Sequence, residues 1–315
     1  MSDTAPRWPD YPFASHRHVH ANGISQHYLD EGAGEVVLML HGNPTWSYYW
    51  RHLVLALRGT HRCVVPDHVG MGLSDKPDDA RYAYTLEQRV ADLDALVGAV
   101  IGPRTKVTLV VHDWGGMIGF AWACRHPERV ARLVVTNTAA FPMPSDKRLP
   151  LALKLGRETR LGAFLIERFN AFAAGATTLA VTKPLPRAVR RAYVTPYDTK
   201  ANRIATLRFV QDIPLSPSDR GYALVAATGA ALPQFADRPV LICWGLRDFV
   251  FDATFLREFR RALPQAEVHA WEDAGHYVLE DARERVVEQV RAFLARSAEA
   301  ALDAGPRDRA AAGAP

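Results

Sequence analysis

Between Ser25 and Asn137, short runs of aliphatic and β-branched residues alternate with amphipathic stretches, and after an interruption the alternation resumes at Pro239. This order constrains the fold more than any other feature of the chain. Parallel strands need a crossover between them, and helices in those crossovers cover both sheet faces, so the pattern predicts an α/β fold on a mostly parallel sheet. The expected strands are Ser25–Leu29, Val36–Leu40, Cys63–Val65, Val107–Val111, Leu133–Asn137, Pro239–Trp244 and Glu267–Trp271. The central ones are continuous apolar runs, as strands buried on both faces require. The clearest helix is Thr85–Ile101, where Thr85 and Gln88 make a capping-box pattern ahead of an apolar stripe from Leu86 to Val100. Further helices are expected at Met117–Arg125, Ala253–Ala262 and about Arg283–Leu294.

The interruption, residues 142–235, reads as helix over Leu151–Ala174, Arg187–Tyr193 and Ala201–Val210 with proline-rich joints. It is expected to be a helical cap inserted between two parts of one core, residues 1–141 and 236–296, with residues 297–315 a disordered tail rich in Ala, Gly, Asp and Arg. The cap holds 14 Lys and Arg against 6 Asp and Glu, a net +8, which leaves −4 on the rest of a chain whose total is +4. No run of like charges suggests nucleic-acid binding. The start of the chain lacks the basic and apolar regions of a signal peptide, and no apolar stretch is long enough to span a membrane, so a cytoplasmic protein without integral membrane association is expected. The three cysteines are odd in number and widely spaced, which points to reduced thiols rather than disulfides or a zinc site.

The string Val107-Thr-Leu-Val-Val-His-Asp113-Trp114-Gly115-Gly116 runs a strand into a sharp turn and a helix. Such an elbow raises one side chain above the sheet edge, and small residues must follow so that the helix packs close. The raised residue is Asp113, so a serine esterase at this elbow is excluded. A carboxylate suits displacement at saturated carbon: a serine ether would be a dead end, whereas an aspartyl ester can be opened again. Taken alone, Asp113 would equally serve as a helix cap. Three further features argue against that. His41-Gly42-Asn43-Pro44 places a tight turn after a neighbouring strand, and the backbone N–H groups of Asn43 and Trp114 would form an oxyanion hole, with the Asn43 amide and Trp114 indole as extra donors to a leaving anion. Asp248 follows the strand ending at Trp244, and His276 follows the last strand. Nucleophile, acid and histidine stand in the chain order of an α/β-hydrolase triad, in which Asp248 would orient His276. Asp67 and His68, in a loop carrying Gly70 and Gly72, are assigned structural roles because the remaining context of a dinucleotide site is missing.

With these residues in place, 25–137 and 239–294 resemble an α/β-hydrolase of the haloalkane-dehalogenase-like group, through YLDEG (28–32), HGNPTWSYYWR (41–51), PDHVGMGLSDKP (66–77) and VHDWGG (111–116). The resemblance implies an eight-stranded sheet. Asn137-Thr-Ala-Ala-Phe141 lacks the Glu that one subfamily carries there, so Asp248 as acid and Asn43 as first donor are similar to the third subfamily, which includes the bacterial β-lactone decarboxylases of long-chain olefin biosynthesis. The cap strings around Pro196-Tyr197-Asp198 and Asp212-Ile-Pro214 look closer to those decarboxylases. The implied activity is conversion of a cis-3,4-dialkyl-oxetan-2-one to a cis-alkene and CO2, without cofactor or metal. Whether Asp113 meets the carbonyl or the alkyl carbon is open. Haloalkane dehalogenation by the same residues is the main alternative; epoxide hydrolysis would need Tyr193 or Tyr197 as a proton donor, and a non-catalytic binding protein is the reading from another class. Cap residues Leu151, Leu153, Leu155, Leu161, Phe164, Leu165, Phe169 and Phe172 are candidates for a pocket holding a hydrophobic substrate, with more than half expected to be ordinary helix packing. Arg187, Arg190 and Arg191 would be solvated surface or a docking site for an acidic olefin-pathway enzyme.

Overall fold

The computed structural model describes residues 8–303. Eight strands form one sheet: β1 (His16–Val19), β2 (Ser25–Glu31), β3 (Val36–Leu40), β4 (Arg62–Pro66), β5 (Val107–Asp113), β6 (Val130–Thr138), β7 (Val240–Gly245) and β8 (Glu267–Trp271), in the order β1-β2-β4-β3-β5-β6-β7-β8. The β1–β2 and β2–β4 pairings are antiparallel and all others are parallel. The helices are α1 (Arg51–Leu57), α2 (Leu86–Val100), α3 (Trp114–Arg125), α4 (Leu151–Glu158), α5 (Arg160–Phe169), α6 (Ala171–Leu179), α7 (Arg187–Val194), α8 (Ile204–Gln211), α9 (Tyr222–Ala231), α10 (Ala253–Ala262), α11 (Val278–Asp281) and α12 (Arg283–Asp303).

Side-chain alternation along the strands builds two cores. Leu38, Leu40, Leu109, Val111 and Ile242 pack with α2, α3 and α10 through Leu93, Val97, Ile118 and Phe259. Val37, Met39, Val110, Leu241 and Cys243 pack on the other face with α1 and α12 through Leu53, Val54, Val286 and Val290. This two-sided burial is why the central strands read as unbroken apolar runs. The Thr85 side chain caps α2 by accepting from Gln88 N at 3.2 Å. All three cysteines are free.

Several expected boundaries move. β1 escapes the sequence reading because His16-Arg-His-Val is a half-exposed edge strand with no apolar run. The single helix expected over Leu151–Ala174 is three. Thr159 is extended and accepts from Gly162 N at 3.0 Å to start α5, and Asn170 is left-handed at φ 54° between α5 and α6. Gly162 makes the first bend possible, since a Cβ there would collide with the Leu155 carbonyl. α9, in an alanine-rich stretch without a marked polar face, was not expected. α12 continues through Asp303, so residues 297–303 are helical rather than part of a disordered tail; their alanines favour helix. Residues 304–315 of that expected tail lie outside the described residues.

Between β6 and β7 the described elements are all helical. A buried ion pair and a hydrogen bond to a second buried pair fasten this segment to the sheet domain. Arg89 of α2 meets Asp212 at the end of α8 at 2.9 Å. Arg51 of α1 holds Glu280 of α11 through two contacts of 2.6 and 3.0 Å, and Tyr193 of α7 donates to the same carboxylate at 2.5 Å.

Candidate active site

β5 ends on Asp113, whose backbone (φ 51°, ψ −128°) lies outside the regions L-residues favour, and α3 starts at the next residue. A non-glycine residue held in such a conformation costs on the order of 1–3 kcal/mol and persists only where its surroundings fix it. Glycines do the fixing. A Cβ on Gly115 would strike the Leu40 carbonyl, on Gly116 the Thr138 side chain, and on Gly42 the Asp113 carboxylate itself. Thr138 Oγ1 donates to the Asp113 carbonyl oxygen at 2.5 Å and closes the elbow from β6.

The Asp113 carboxylate faces two ways. Oδ1 accepts the Asn43 backbone N–H at 2.6 Å, and Oδ2 lies 3.6 Å from His276 Nε2. Burial raises its pKa above the ordinary 3.8; His276 and the backbone N–H groups of Asn43 and Trp114 oppose that rise, and Asp248 adds to it. His276 Nδ1 donates to Asp248 Oδ2 at 2.8 Å, which turns Nε2 toward Asp113. Burial works against the imidazolium, yet the Asp248 charge and hydrogen bond, followed by the Asp113 charge, outweigh it and raise the His276 pKa above 6.5.

Asp248 is held by donors on every side. Val250 N and Phe251 N reach Oδ1 at 2.7 and 3.0 Å, and Asn137 Nδ2 reaches Oδ2 at 3.0 Å. Asn137 also accepts from Gly245 N at 2.8 Å, so one side chain at the end of β6 fixes both the end of β7 and the acid beyond it. The sequence reading used Asn137 only as a position without a carboxylate; what it lacked was the β6–β7 neighbourhood. His112 was missed as well. Its Nε2 donates to the His276 carbonyl at 2.8 Å, and burial keeps its pKa well below 6.5, so it is a neutral strut beneath the histidine loop. Asp67 and His68 brace the turn before Asn43: Asp67 accepts from Ser47 N at 2.6 Å and from Leu73 N at 2.8 Å, and His68 Nε2 donates to the His41 carbonyl at 2.9 Å.

Asn43, Asp113, Trp114 and His276 line one pocket of about 190 Å³, with Asp248 buried behind His276. The rest of the wall is apolar, including Met117, Phe141, Leu153, Phe172, Val225 and Phe255. The Asn43 amide is oriented by Nδ2 donating to the Thr206 carbonyl at 3.0 Å, while the Trp114 indole packs edge-on to Phe209. Of the eight candidate lining residues, Leu153 and Phe172 reach the pocket; Leu165 is half-buried and outside the lining, and Leu151, Leu155, Leu161, Phe164 and Phe169 are exposed to solvent. Tyr193 and Tyr197 are absent from its lining, and their hydroxyls are occupied by Glu280 and by the Thr45 carbonyl, which leaves an epoxide opener without its proton donor. Among the described residues no cluster of His, Cys, Asp or Glu is suited to a metal ion, and no helix is long and apolar enough to cross a membrane.

A strand-elbow carboxylate, a histidine after the last strand and an acid after the strand before it, on this sheet order, define an α/β-hydrolase. The alpha/beta hydrolase fold family model matches residues 35–282, and the chain belongs to that family. It is 58% identical to the cis-3-alkyl-4-alkyloxetan-2-one decarboxylase of Xanthomonas campestris pv. campestris, over 92% of this chain and 99% of that protein. It is 52% identical to the enzyme of the same name from Shewanella oneidensis, over 94% and 93%. The crystal structure of the haloalkane dehalogenase DatA from Agrobacterium tumefaciens C58 superposes with a TM-score of 0.80 at 27% identity, covering 91% of this chain and 98% of that one.

Asp248→Asn separates the two opposing effects on His276. Burial and the Asp113 charge remain and the Asp248 charge goes, so the His276 pKa is expected to fall in an NMR titration. In the parent, the raised value gives stability that is complete below the unfolded pKa and lost as pH rises through the folded one; that pH-dependent component should shrink in the variant. A His276 pKa unchanged by the substitution would show that Asp248 does not set it.

Proposed function

We propose that this protein is a β-lactone decarboxylase that converts a cis-3,4-dialkyl-oxetan-2-one to a cis-alkene and CO2. The observation that carries the reading is the 58% identity to a decarboxylase over 92% of this chain. A match of that extent cannot omit the helical segment, residues 142–235, which lines most of one side of the pocket and which we take as the cap that selects the substrate. The pocket suits the substrate, since its polar groups are confined to the reacting end and the remaining wall is aliphatic or aromatic.

In this mechanism Asp113 Oδ2 attacks the ring carbon that bears the lactone oxygen, with inversion. The C–O bond breaks, ring strain is released, and the product is an aspartyl ester with a free carboxylate on the adjacent carbon. That carboxylate then leaves as CO2; its C–C electron pair forms the alkene and expels Asp113 as a carboxylate. Inversion followed by anti elimination preserves the cis relation of the alkyl chains. Attack at the carbonyl would instead leave an alkoxide and no free carboxylate to lose. No water is consumed, and Asp113 returns unchanged. The Asn43 backbone N–H holds the nucleophile's other oxygen and the Trp114 backbone N–H also favours its charged form, while the Trp114 indole and the Asn43 amide are the donors for the released carboxylate. His276, whose imidazolium form Asp248 favours against burial, balances the anionic charge that moves from Asp113 to the opened ring and back.

The dehalogenase reading uses the same residues but needs His276 to activate water. It rests on the structural likeness to DatA at 27% identity. With regard to location and partners, we take the protein as cytoplasmic. The exposed Arg187, Arg190 and Arg191 of α7 would be a docking surface for an acidic enzyme supplying the lactone. Reversing these three charges should abolish co-purification with such pathway enzymes while leaving turnover intact; unchanged assembly would reduce them to surface charge.

Purified protein given a long-chain cis-β-lactone should release equimolar alkene and CO2, and little bromide from a 1-bromoalkane. Asp113→Asn should lower alkene formation by at least about 10³-fold, the scale expected when a group acting only in the transition state is removed. Bromide release without alkene would overturn the assignment in favour of the dehalogenase.

A further inference from the structure

The helices around the pocket opening carry large apolar side chains in water. Leu151 is 82% exposed, Leu161 59%, Phe164 53%, Phe169 62% and Leu179 65%. They come from three consecutive helices, α4, α5 and α6, and α5 packs against both of the others. Scattered single exposed apolar residues are ordinary, but a set this large on adjoining short helices marks an interaction surface. The surface is continuous with the cavity. Ala152, Ala171, Leu179 and Phe249 are exposed to solvent and also line the pocket, so the opening lies along the α4 and α6 edge of this face.

The charge on the same helices is one-sided. Lys154, Arg160 and Arg168 are exposed and form no ion pair among the described residues, whereas Glu158 and Glu167 lie close to Arg157 and Lys200. The Arg168 guanidinium sits 5.9 Å from the centre of the Phe169 ring. Leucine and phenylalanine with unpaired basic residues beside them, on short amphipathic helices, match an acyl-chain boundary with anionic headgroups above it. An acidic protein would satisfy the cations but not the exposed leucines and phenylalanines around a cavity mouth. A second copy of the chain would bring the same positive charges together.

We infer that α4, α5 and α6 form a peripheral docking face for an anionic lipid bilayer, through which the apolar pocket exchanges its substrate and product with the membrane. The exchange, though not the docking, rests on the long-chain lactone reading above. Leu151, Leu161 and Phe164 insert, Lys154, Arg160 and Arg168 meet the headgroups, and the opening beside Leu179 and Phe249 then faces hydrocarbon rather than water.

The test is flotation of the full chain with vesicles of equal parts phosphatidylglycerol and phosphatidylcholine, and with vesicles of phosphatidylcholine alone. The protein should bind the anionic vesicles, and Leu161→Glu with Phe164→Glu should weaken binding at least tenfold. Lys154→Glu with Arg160→Glu should remove the preference for anionic lipid. None of these four residues lines the pocket, so turnover of a water-soluble short-chain lactone should be unchanged in each variant. That control also separates the two readings: loss of lactone turnover in the parent would sink the decarboxylase, not the docking face. Absence of vesicle binding, or binding indifferent to these substitutions, would overturn the inference. So would concentration-dependent dimerisation abolished by Leu161→Glu, which would make the face an interface between copies.

Discussion

A carboxylate in an apolar pocket resists ionisation, and most of the structure around Asp113 works against that resistance. Burial raises its pKa, while the Asn43 N–H, the Trp114 N–H and His276 pull it back toward the charged form. The placement of those groups depends on one strained residue. With φ at 51°, Asp113 lifts its side chain off the sheet edge, and the glycines at 42, 115 and 116 are the only residues that fit the space this leaves. Sheet order then brings β3, β5, β6 and β7 side by side, so that the turn after β3, the elbow after β5 and the acid after β7 converge.

Support for the charge continues outward in layers. Asp248 raises the His276 pKa from a position fixed by two backbone N–H groups and Asn137. The His276 loop is tied from below by His112. The same loop is tied to the helical segment by Asp281, which accepts from Gly275 N at 2.8 Å and from Thr182 N at 2.9 Å. Glu280 beside it binds Tyr193 of α7 and Arg51 of α1. The helical segment and the His276 loop are thus joined through residues outside the pocket lining. A buried ion pair of this kind costs desolvation.

The parts of this arrangement that were legible in the sequence are those whose signal is local. Buried strands announce themselves as apolar runs, and the elbow at Asp113, the turn at Asn43 and the carboxylate and histidine at 248 and 276 each follow a strand in a fixed chain order. Asn137 and His112 were not legible as supports, because their roles depend on which strand lies beside β6 and on the path of the His276 loop. Thr159 and Asn170 lie inside what reads as one long helix; the packing of Gly162 on the Leu155 carbonyl accompanies the first break, and the left-handed backbone of Asn170 makes the second. The leucines and phenylalanines of α4 to α6 have the spacing of a buried stripe, and periodicity carries no information on whether a stripe meets protein or something else.

The central claim is that Asp113 forms an ester with the opened lactone before CO2 leaves. Rapid-quench mass spectrometry of the protein during turnover tests it most directly. The account predicts a transient gain of the full mass of the lactone, confined to the peptide that contains Asp113 and absent in Asp113→Asn. An adduct on another residue, or alkene formed at full rate with no adduct at any quench time, would contradict it.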